Sequence, residues 1–159
     1  MARLLILIAL CVLPALVSAR PARSSYLTVK GRVYCDTCLA GFETSATTYI
    51  AGAQVRVQCR ERESGRMTYS TDGVTDQSGT YLIPASDNHD NEICETVLVS
   101  SPQKDCATVM PDRERARVFL SRNNGIVSDF RYANNLGFQK NTPLAGCTQV
   151  LQQYHEFDN

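Results

Sequence analysis

The segment Gly31–Cys38, GRVYCDTC, contains two cysteines separated by two residues and follows a run with strand-like alternation. Such a pair can be a redox couple, half of a zinc site, or two members of a disulfide-linked scaffold. Each interpretation implies a different kind of protein, so the surroundings of Cys35 and Cys38 decide the fold.

These surroundings favour disulfides. A thioredoxin-type pair lies at the start of a helix, where the helix dipole lowers the thiol pKa, but here no helical pattern follows Cys38. A structural zinc site usually has a second close pair of ligands. The other cysteines occur singly, and the two histidines, His89 and His155, are far apart in the sequence. We therefore expect no metal site and no cofactor.

The N-terminus has the pattern of a secretory signal peptide. One positive charge, Arg3, precedes an apolar run over residues 4–17, and small residues follow as far as Ala19. The alternative, a transmembrane anchor, needs about 20 apolar residues, and this run is shorter and contains Pro14. We expect residues 1–19 to be removed.

The rest of the chain predicts one secreted domain. No second apolar run of spanning length follows, and the C-terminal residues 152–159 resemble neither an anchor signal nor a retention signal. We expect an N-terminal arm over residues 20–25, a single β domain over residues 26–159, an extracellular location and no membrane insertion.

The cysteine count predicts three disulfides. Cys11 lies in the expected signal peptide, and an even number remains in the exported chain: Cys35, Cys38, Cys59, Cys94, Cys106 and Cys147. Their spacing allows many pairings. Since adjacent side chains of a strand point to opposite faces, two cysteines at a strand end can reach different partners.

Alternation with a period of two predicts an all-β fold. The segment 54–59 places Val55, Val57 and Cys59 on one face, and the segment 26–35 does the same with Leu27, Val29 and Val33. Short strands separated by Gly, Pro, Asn and Asp favour a small antiparallel β-barrel or sandwich of about seven strands. Only residues 147–157 allow a short helix.

Several dipeptides predict turns. Asn124-Gly125 stands between two apolar runs and predicts a type I′ hairpin. Asp72-Gly73 and Ser78-Gly79 are typical turn formers. We expect the strand that follows Gly79 to stop at Pro84, because proline cannot donate to a β-ladder.

Charge and missing motifs argue against two classes of function. Sixteen basic and sixteen acidic residues balance, which argues against nucleic-acid binding. The mixed cluster 112–117 and the polar segment Ser86–Glu92, which contains His89, are interpreted as solvated. Nucleophile-elbow, Walker and dinucleotide motifs are missing from the sequence, and His155 is a poor position for a general base. We expect no catalytic residue and no enzyme.

The segment Gly31–Cys38 resembles the signature of the Ole e 1 family of plant pollen proteins, Gly-x-Val-Tyr-Cys-Asp-x-Cys. Its matching residues are Gly31, Val33, Tyr34, Cys35, Asp36 and Cys38. The resemblance continues through residues 50–81, 91–106 and 134–147, and is strongest with the cereal and grass pollen-specific members, which include the group 11 grass allergens. Leu39 stands where the family has a basic residue.

The resemblance implies three disulfides, which pair Cys35 with Cys106, Cys38 with Cys147, and Cys59 with Cys94. It also implies a β-barrel or sandwich. Many relatives carry an N-glycan, but here the sequence Asn141-Thr-Pro is blocked by its proline and Asn124-Gly-Ile lacks the hydroxyl residue. We expect no N-glycan, so glycosidase treatment should leave the mass of the protein unchanged.

The resemblance also implies a function. Family members are secreted by pollen, are linked to pollen hydration, germination and tube growth, and are often allergens. We therefore expect a secreted, non-enzymatic interaction protein, with a receptor kinase or a cell-wall component as partner and loops 40–52 and 84–93 as contacts. The alternatives are a carbohydrate-binding module and a hydrolase or protease inhibitor. The first would use strand tyrosines: Tyr34, Tyr49, Tyr69, Tyr81 and Tyr132.

Overall fold

The computed structural model describes residues 26–86 and 89–155, so the expected signal peptide and N-terminal arm lie outside the described residues. Ten strands and one helix occur in these ranges: β1 Tyr26–Asp36, β2 Thr48–Tyr49, β3 Gln54–Glu61, β4 Met67–Val74, β5 Thr80–Ser86, β6 Glu92–Ser100, β7 Thr108–Val109, β8 Arg115–Val118, β9 Phe130–Tyr132, β10 Leu136–Gln139 and α1 Cys147–His155. None of the described helices is long and apolar enough to cross a membrane.

The strands form two sheets. The first sheet is built on β1, which pairs with β5 and β2 on one side and with β9 and β10 on the other, and β10 then pairs with β7. The second sheet has the antiparallel order β4-β3-β6-β8. The all-β prediction is confirmed, as a sandwich and not as a closed barrel.

Alternation along the central strands creates the core between the sheets. Leu27, Val29 and Val33 of β1 are fully buried, as are Val55 and Val57 of β3. These side chains belong to one continuous apolar cluster, so the faces predicted from the period of two are confirmed.

The first sheet is mixed, which differs from the antiparallel prediction. Thr28 lies opposite Phe130 in β9, and Val33 lies opposite Leu136 in β10, and both of these pairings are parallel. Parallel neighbours need a long connection rather than a hairpin. The strands exceed the predicted seven because β2, β7 and β9 span only two or three residues, too few for a visible period.

The predicted Asn124-Gly125 hairpin is wrong. β8 pairs with β6 in the second sheet, whereas β9 pairs with β1 in the first, so the turn lies in a connection between the sheets. Gly125 has a φ of 79°, but Asn124 does not have the positive φ that a type I′ turn requires.

Arg131 is the physical reason for this connection. Arg131 is 2% exposed, and its guanidinium donates to the carbonyls of Phe119, Ser121, Ser128 and Phe130. These acceptors lie on both sides of the turn, so the loop folds around one buried cation instead of forming a ladder.

Two further local predictions fail, and one is confirmed. Asp72-Gly73 lies inside β4, where a Cβ on Gly73 would be 2.4 Å from Ile83 Cγ1, so close packing explains this glycine. β5 continues through Pro84 to Ser86, because an edge strand with one paired neighbour tolerates a missing donor. Ser78-Gly79 does form a turn, with a φ of 72° at Gly79.

Candidate functional site

The residues of the Gly31–Cys38 segment divide between the core and a shaped turn. Gly31 lies against the ring of buried Tyr81, so that a Cβ there would be 2.2 Å from Tyr81 Oη. Val33 is a core residue, and Tyr34 is 1% exposed. A close backbone approach therefore explains the glycine of the signature.

Asp36 sets the path of the chain after β1. Its buried carboxylate accepts hydrogen bonds from the backbone N–H of Cys38 at 3.1 Å and of Gly41 at 2.8 Å. Leu39, the departure from the signature, lies between them with a φ of 55°. One side chain thus directs the start of loop 39–47.

The cysteines of the segment bond to distant partners and not to each other. Cys35 is joined to Cys106, and Cys38 is joined to Cys147 at the start of α1. The third disulfide joins Cys59 to Cys94, and all three pairs are those that the resemblance implies. The turn after β1 is therefore fixed to two other parts of the chain.

Loop 39–47 packs on the C-terminal helix. The rings of Phe42 and Tyr154 are 5.2 Å apart in an edge-to-face arrangement, and the N–H of Ser45 donates to Tyr154 Oη at 3.1 Å. Thr37 Oγ1 donates to the carbonyl of Ala46 at 2.8 Å. Contacts at both ends hold the loop in one conformation.

Beside this loop is a cavity of about 420 Å³, which we call the Tyr34 cavity. It lies within the size range of small-ligand sites, about 300–1,000 Å³. Four separate stretches of the chain converge there, and their residues line its wall: Tyr34, Phe42, Glu43, Arg113, Ala133, Asn134 and Asn135.

The polar groups of the Tyr34 cavity are held by hydrogen bonds. Glu43 accepts from Tyr49 Oη at 2.9 Å and from Asn135 Nδ2 at 2.9 Å. Arg113 Nε donates to the carbonyl of Gly41 at 3.3 Å. The cavity therefore presents one carboxylate, one guanidinium and amide groups in a fixed arrangement.

Both tyrosines near the cavity remain neutral at physiological pH. Burial raises the pKa of Tyr34, although the nearby Arg113 opposes this rise. The hydrogen bond to Glu43 raises the pKa of Tyr49. Neutral hydroxyls beside a fixed cation and a fixed anion suit the binding of a polar molecule or a polar protein loop.

In the second predicted contact loop, 84–93, Asp90 and Asn91 are exposed as expected of a solvated segment, but His89 is not. His89 is 9% exposed, and its ring centroid is 4.7 Å from that of Tyr69. The ring contacts Ser86 Oγ through Nε2 at 2.6 Å and Glu92 Oε2 through Nδ1 at 2.5 Å. Its polar partners allow this histidine to be buried.

The tyrosines do not form one binding face. Tyr34 and Tyr81 are buried, Tyr49 and Tyr69 are half-buried, and Tyr132 is 71% exposed. An aromatic patch on the outer side of the first sheet was not predicted, because β9 is too short to show a period. This patch, the outer aromatic patch, consists of Tyr26, Phe130 and Tyr132, each at least 44% exposed.

The mixed cluster 112–117 is mostly exposed, as expected. It ends in β8, whose Arg115 faces Glu95 of β6 at 3.4 Å. Ala116 alternates with these charged residues and is buried. Arg115 and Arg117 thus form the solvated face of an edge strand, whereas Arg113 precedes this strand and lines the Tyr34 cavity.

The fold and its bridges define a disulfide-linked β-sandwich with one ordered loop and a polar cavity. Residues 25–155 match the family described as "Pollen protein Ole e 1 like". The chain belongs to the Ole e 1 family.

Known relatives agree with this assignment. The chain is 45% identical to "Pollen-specific protein C13" of Zea mays, over 97% of this chain and 91% of that protein. It is 44% identical to "Major pollen allergen Lol p 11" of Lolium perenne, over 79% and 95% of the two chains.

A solved structure has the same fold. The crystal structure of the major plantain pollen allergen Pla l 1 matches with a TM-score of 0.68 and 33% identity, over 77% of this chain and 99% of that chain. The names of these proteins indicate a pollen protein, and none of these names refers to an enzyme.

Proposed function

We propose that this pollen protein is secreted and acts in the extracellular space, without enzymatic activity, as an interaction factor in pollen germination and tube growth. The apolar leader over residues 4–17 and the even number of cysteines after it support export. The relative from Zea mays is named as pollen-specific, which supports a role in pollen.

The Tyr34 cavity is the observation that carries this proposal. Its wall includes Phe42 and Glu43 of a loop that is fixed by a carboxylate, a disulfide and an aromatic contact. A rigid loop binds with a smaller loss of conformational entropy than a mobile one. We assign this surface as the contact with a receptor kinase ectodomain or a cell-wall component.

Crosslinking on living pollen tubes tests the proposal. Biotinylated protein would be crosslinked, captured and analysed by mass spectrometry, beside the variants Arg113→Ala and Glu43→Gln. We expect each variant to recover at least about tenfold less of the specific partner, because a fixed charge that contacts the partner is removed.

Arg117→Ala is the matched control, since Arg117 is an exposed arginine of β8 in the other sheet. It should recover as much partner as the unmodified protein. Equal recovery by all of the variants, or no specific partner above a matched control protein, would overturn the proposal.

The outer aromatic patch favours carbohydrate binding as the second candidate. Phe130 and Tyr132 have ring centroids 6.5 Å apart, and Lys30 Nζ is 5.8 Å from the centroid of Tyr132. Exposed aromatic rings can stack on the faces of sugars, and a neighbouring ammonium group can donate hydrogen bonds to the sugar hydroxyls. A glycan array should show selective binding that Tyr132→Ala removes and Arg113→Ala retains, and an array without selective binding excludes this candidate.

A further inference from the structure

The disulfide between Cys59 and Cys94 is surrounded by two other metal-ligating side chains. One ligand atom from each of Cys59, His89, Glu92 and Cys94 lies within 4.8 Å of the others. The two sulfurs form a disulfide and therefore offer no thiolate. The cluster would become a complete set of four ligands if that bond were opened.

We propose that reduction of the Cys59–Cys94 disulfide creates a zinc site formed by the two cysteines, His89 and Glu92. A dithiol supplies two electrons and two protons, so that the disulfide becomes two thiols while the dithiol is oxidised to its own disulfide. Zn²⁺ then replaces the two thiol protons and is bound by two thiolates, one imidazole and one carboxylate.

The sheet should keep the two cysteines in place after reduction. Cys59 and Cys94 are direct partners in the antiparallel pair of β3 and β6, which runs from Gln54–Ser100 to Glu61–Glu92. Backbone hydrogen bonds of this ladder do not depend on the sulfur bond. The other two disulfides tie different segments, so they do not depend on the Cys59–Cys94 bond.

The orientation of His89 also fits a metal ligand. Ser86 Oγ is 2.6 Å from Nε2, while Nδ1 faces Glu92 at 2.5 Å. Because a carboxylate only accepts, a proton lies between Nδ1 and Glu92 in the metal-free protein. Zn²⁺ would displace this proton to solvent when it takes the Nδ1 lone pair, and Nε2–H would then donate to Ser86 Oγ, a contact of the kind that usually fixes a ligating histidine. Zn–ligand bonds of about 2.0–2.3 Å in a tetrahedron place ligand atoms about 3.3–3.8 Å apart, so Nδ1 and Glu92 would separate by about 1 Å.

A cavity of about 50 Å³ reaches this cluster, with His89, Glu92 and Cys94 on its wall. One water needs about 10–15 Å³ by the same measure, so an ion can enter. Two thiolates, one carboxylate and Zn²⁺ carry a net charge of −1. On the same wall Arg62, Arg117 and Asp90 together carry a net charge of +1, which offsets it.

Metal titration of the partly reduced protein tests this proposal. The protein would be treated with increasing dithiothreitol under nitrogen, freed of reductant by gel filtration, and mapped by alkylation and mass spectrometry. Co²⁺ serves as the spectroscopic probe, with Zn²⁺ as its competitor. We expect one Co²⁺ per chain, with a thiolate charge-transfer band and tetrahedral ligand-field bands, and none of these bands before reduction.

Variants distinguish this site from nonspecific thiol binding. His89→Gln and Glu92→Gln each remove a ligand and should weaken Zn²⁺ binding at least about tenfold. Ser86→Ala should weaken it by about tenfold, because Ser86 Oγ no longer holds the ring of His89 in place through Nε2. Asp90→Asn is the matched control, since Asp90 lines the cavity but is outside the ligand set, and it should bind like the unmodified protein.

Each other outcome overturns the proposal. These outcomes are no tetrahedral cobalt spectrum, binding that is unchanged in His89→Gln and Glu92→Gln, and opening of either other disulfide before Cys59–Cys94. Loss of the β-sheet circular dichroism on reduction, without zinc protection of Cys59 and Cys94 from alkylation, also overturns it. None of these results depends on the partner proposed for the Tyr34 cavity.

Discussion

At the scale of the residue, Asp36 links the sequence signature to the shape of loop 39–47. Its carboxylate is fully buried and is shared by the N–H groups of Cys38 and Gly41. A buried donor without an acceptor loses the free energy of its hydration, so the side chain at this position controls both stability and loop geometry.

We predict that Asp36→Ala lowers the free energy of unfolding by about 2–3 kcal/mol, because two backbone donors lose a charged acceptor. The measurement is urea denaturation, combined with hydrogen exchange at Cys38 and Gly41. The exchange rates of those two amides should increase by more than the global loss of stability alone would cause. Glu63→Ala, at an exposed carboxylate, should change neither quantity, and unchanged exchange in Asp36→Ala would contradict the assigned role.

Tyr81 predicts how stability depends on alkaline pH. Burial raises the pKa of Tyr81 to about 12 from its usual value of 10.0. Between these values the unfolded chain has lost the phenolic proton while the folded chain retains it. Unfolding then releases a proton, so the contribution of Tyr81 to the free energy of unfolding is fully present below pH ~10 and is lost by about 1.4 kcal/mol per pH unit between pH ~10 and pH ~12.

The test is the difference in unfolding free energy between pH 9 and pH 11 for the unmodified protein and for Tyr81→Phe. The variant should lose less stability on alkalinisation, because the phenol that titrates is gone. Tyr132→Phe, at a position that is 71% exposed, should follow the unmodified protein. Equal losses in all three proteins would show that Tyr81 does not carry this dependence.

At the scale of the element, α1 depends on its tie to the turn after β1. Its nine residues begin at the bridged Cys147, and an isolated helix of this length is marginal in water. Tertiary contacts must therefore supply its stability, and the Cys38–Cys147 bridge with the Phe42–Tyr154 contact is the main tie.

We predict that the double variant Cys38→Ser/Cys147→Ser has a free energy of unfolding that is about 2–4 kcal/mol lower than that of the unmodified protein. The helix amides should exchange at least about tenfold faster, whereas those of β3 and β6 change only by the global loss. Hydrogen exchange followed by mass spectrometry measures both. Cys59→Ser/Cys94→Ser is the matched control. In this variant the helix amides should exchange faster only by the global loss of stability. Equal exchange of the helix amides in the two double variants would contradict the role of the Cys38–Cys147 bridge in holding α1.

Local periodicity predicted the long strands and their buried faces, but it did not predict which strands pair. In β3 the alternation of Val55, Val57 and Cys59 placed all three side chains correctly in the core. The parallel pairing of β1 with β9 has no local signal, because it joins Thr28 to Phe130 across the chain. Asn124-Gly125 does not form a hairpin, because the loop folds around the buried guanidinium of Arg131. No short-range sequence pattern predicts this arrangement.

The candidate site was predictable in part for the same reason. Loop 40–52 follows the cysteine pair and was predicted as a contact. Its partners in the Tyr34 cavity, Arg113 and Asn135, come from segments about 70 or more residues away along the chain. Burial of His89 was missed because polar residues between strands usually face solvent, and its contacts with Ser86 and Glu92 depend on the folded loop.

At the scale of the whole molecule, three bridges cross-link the sandwich. They join cysteines that are 71, 109 and 35 residues apart in the sequence. Each bridge contributes about 2–4 kcal/mol, and a typical domain has a net stability of about 5–15 kcal/mol. Together, three such bridges are comparable in size with the net stability of a typical domain.

We predict that complete reduction lowers the melting temperature by at least about 15 °C, since the unfolded chain gains the entropy that the bridges removed. Calorimetry with and without a phosphine reductant measures this shift, and alkylation with mass spectrometry verifies that all bridges are open. A melting temperature that does not change after full reduction would refute the scaffold interpretation.

The parallel pairing of β1 has a consequence for synthesis of the chain. Residues 26–36 are translated before every other described strand, whereas two of their neighbours, residues 130–132 and 136–139, are the last two of the described strands. One side of β1 therefore has unpaired backbone groups until those strands have been made, and such edges pair readily with other chains. A chain truncated before Phe130 should aggregate through this edge, which is closed in the full-length protein.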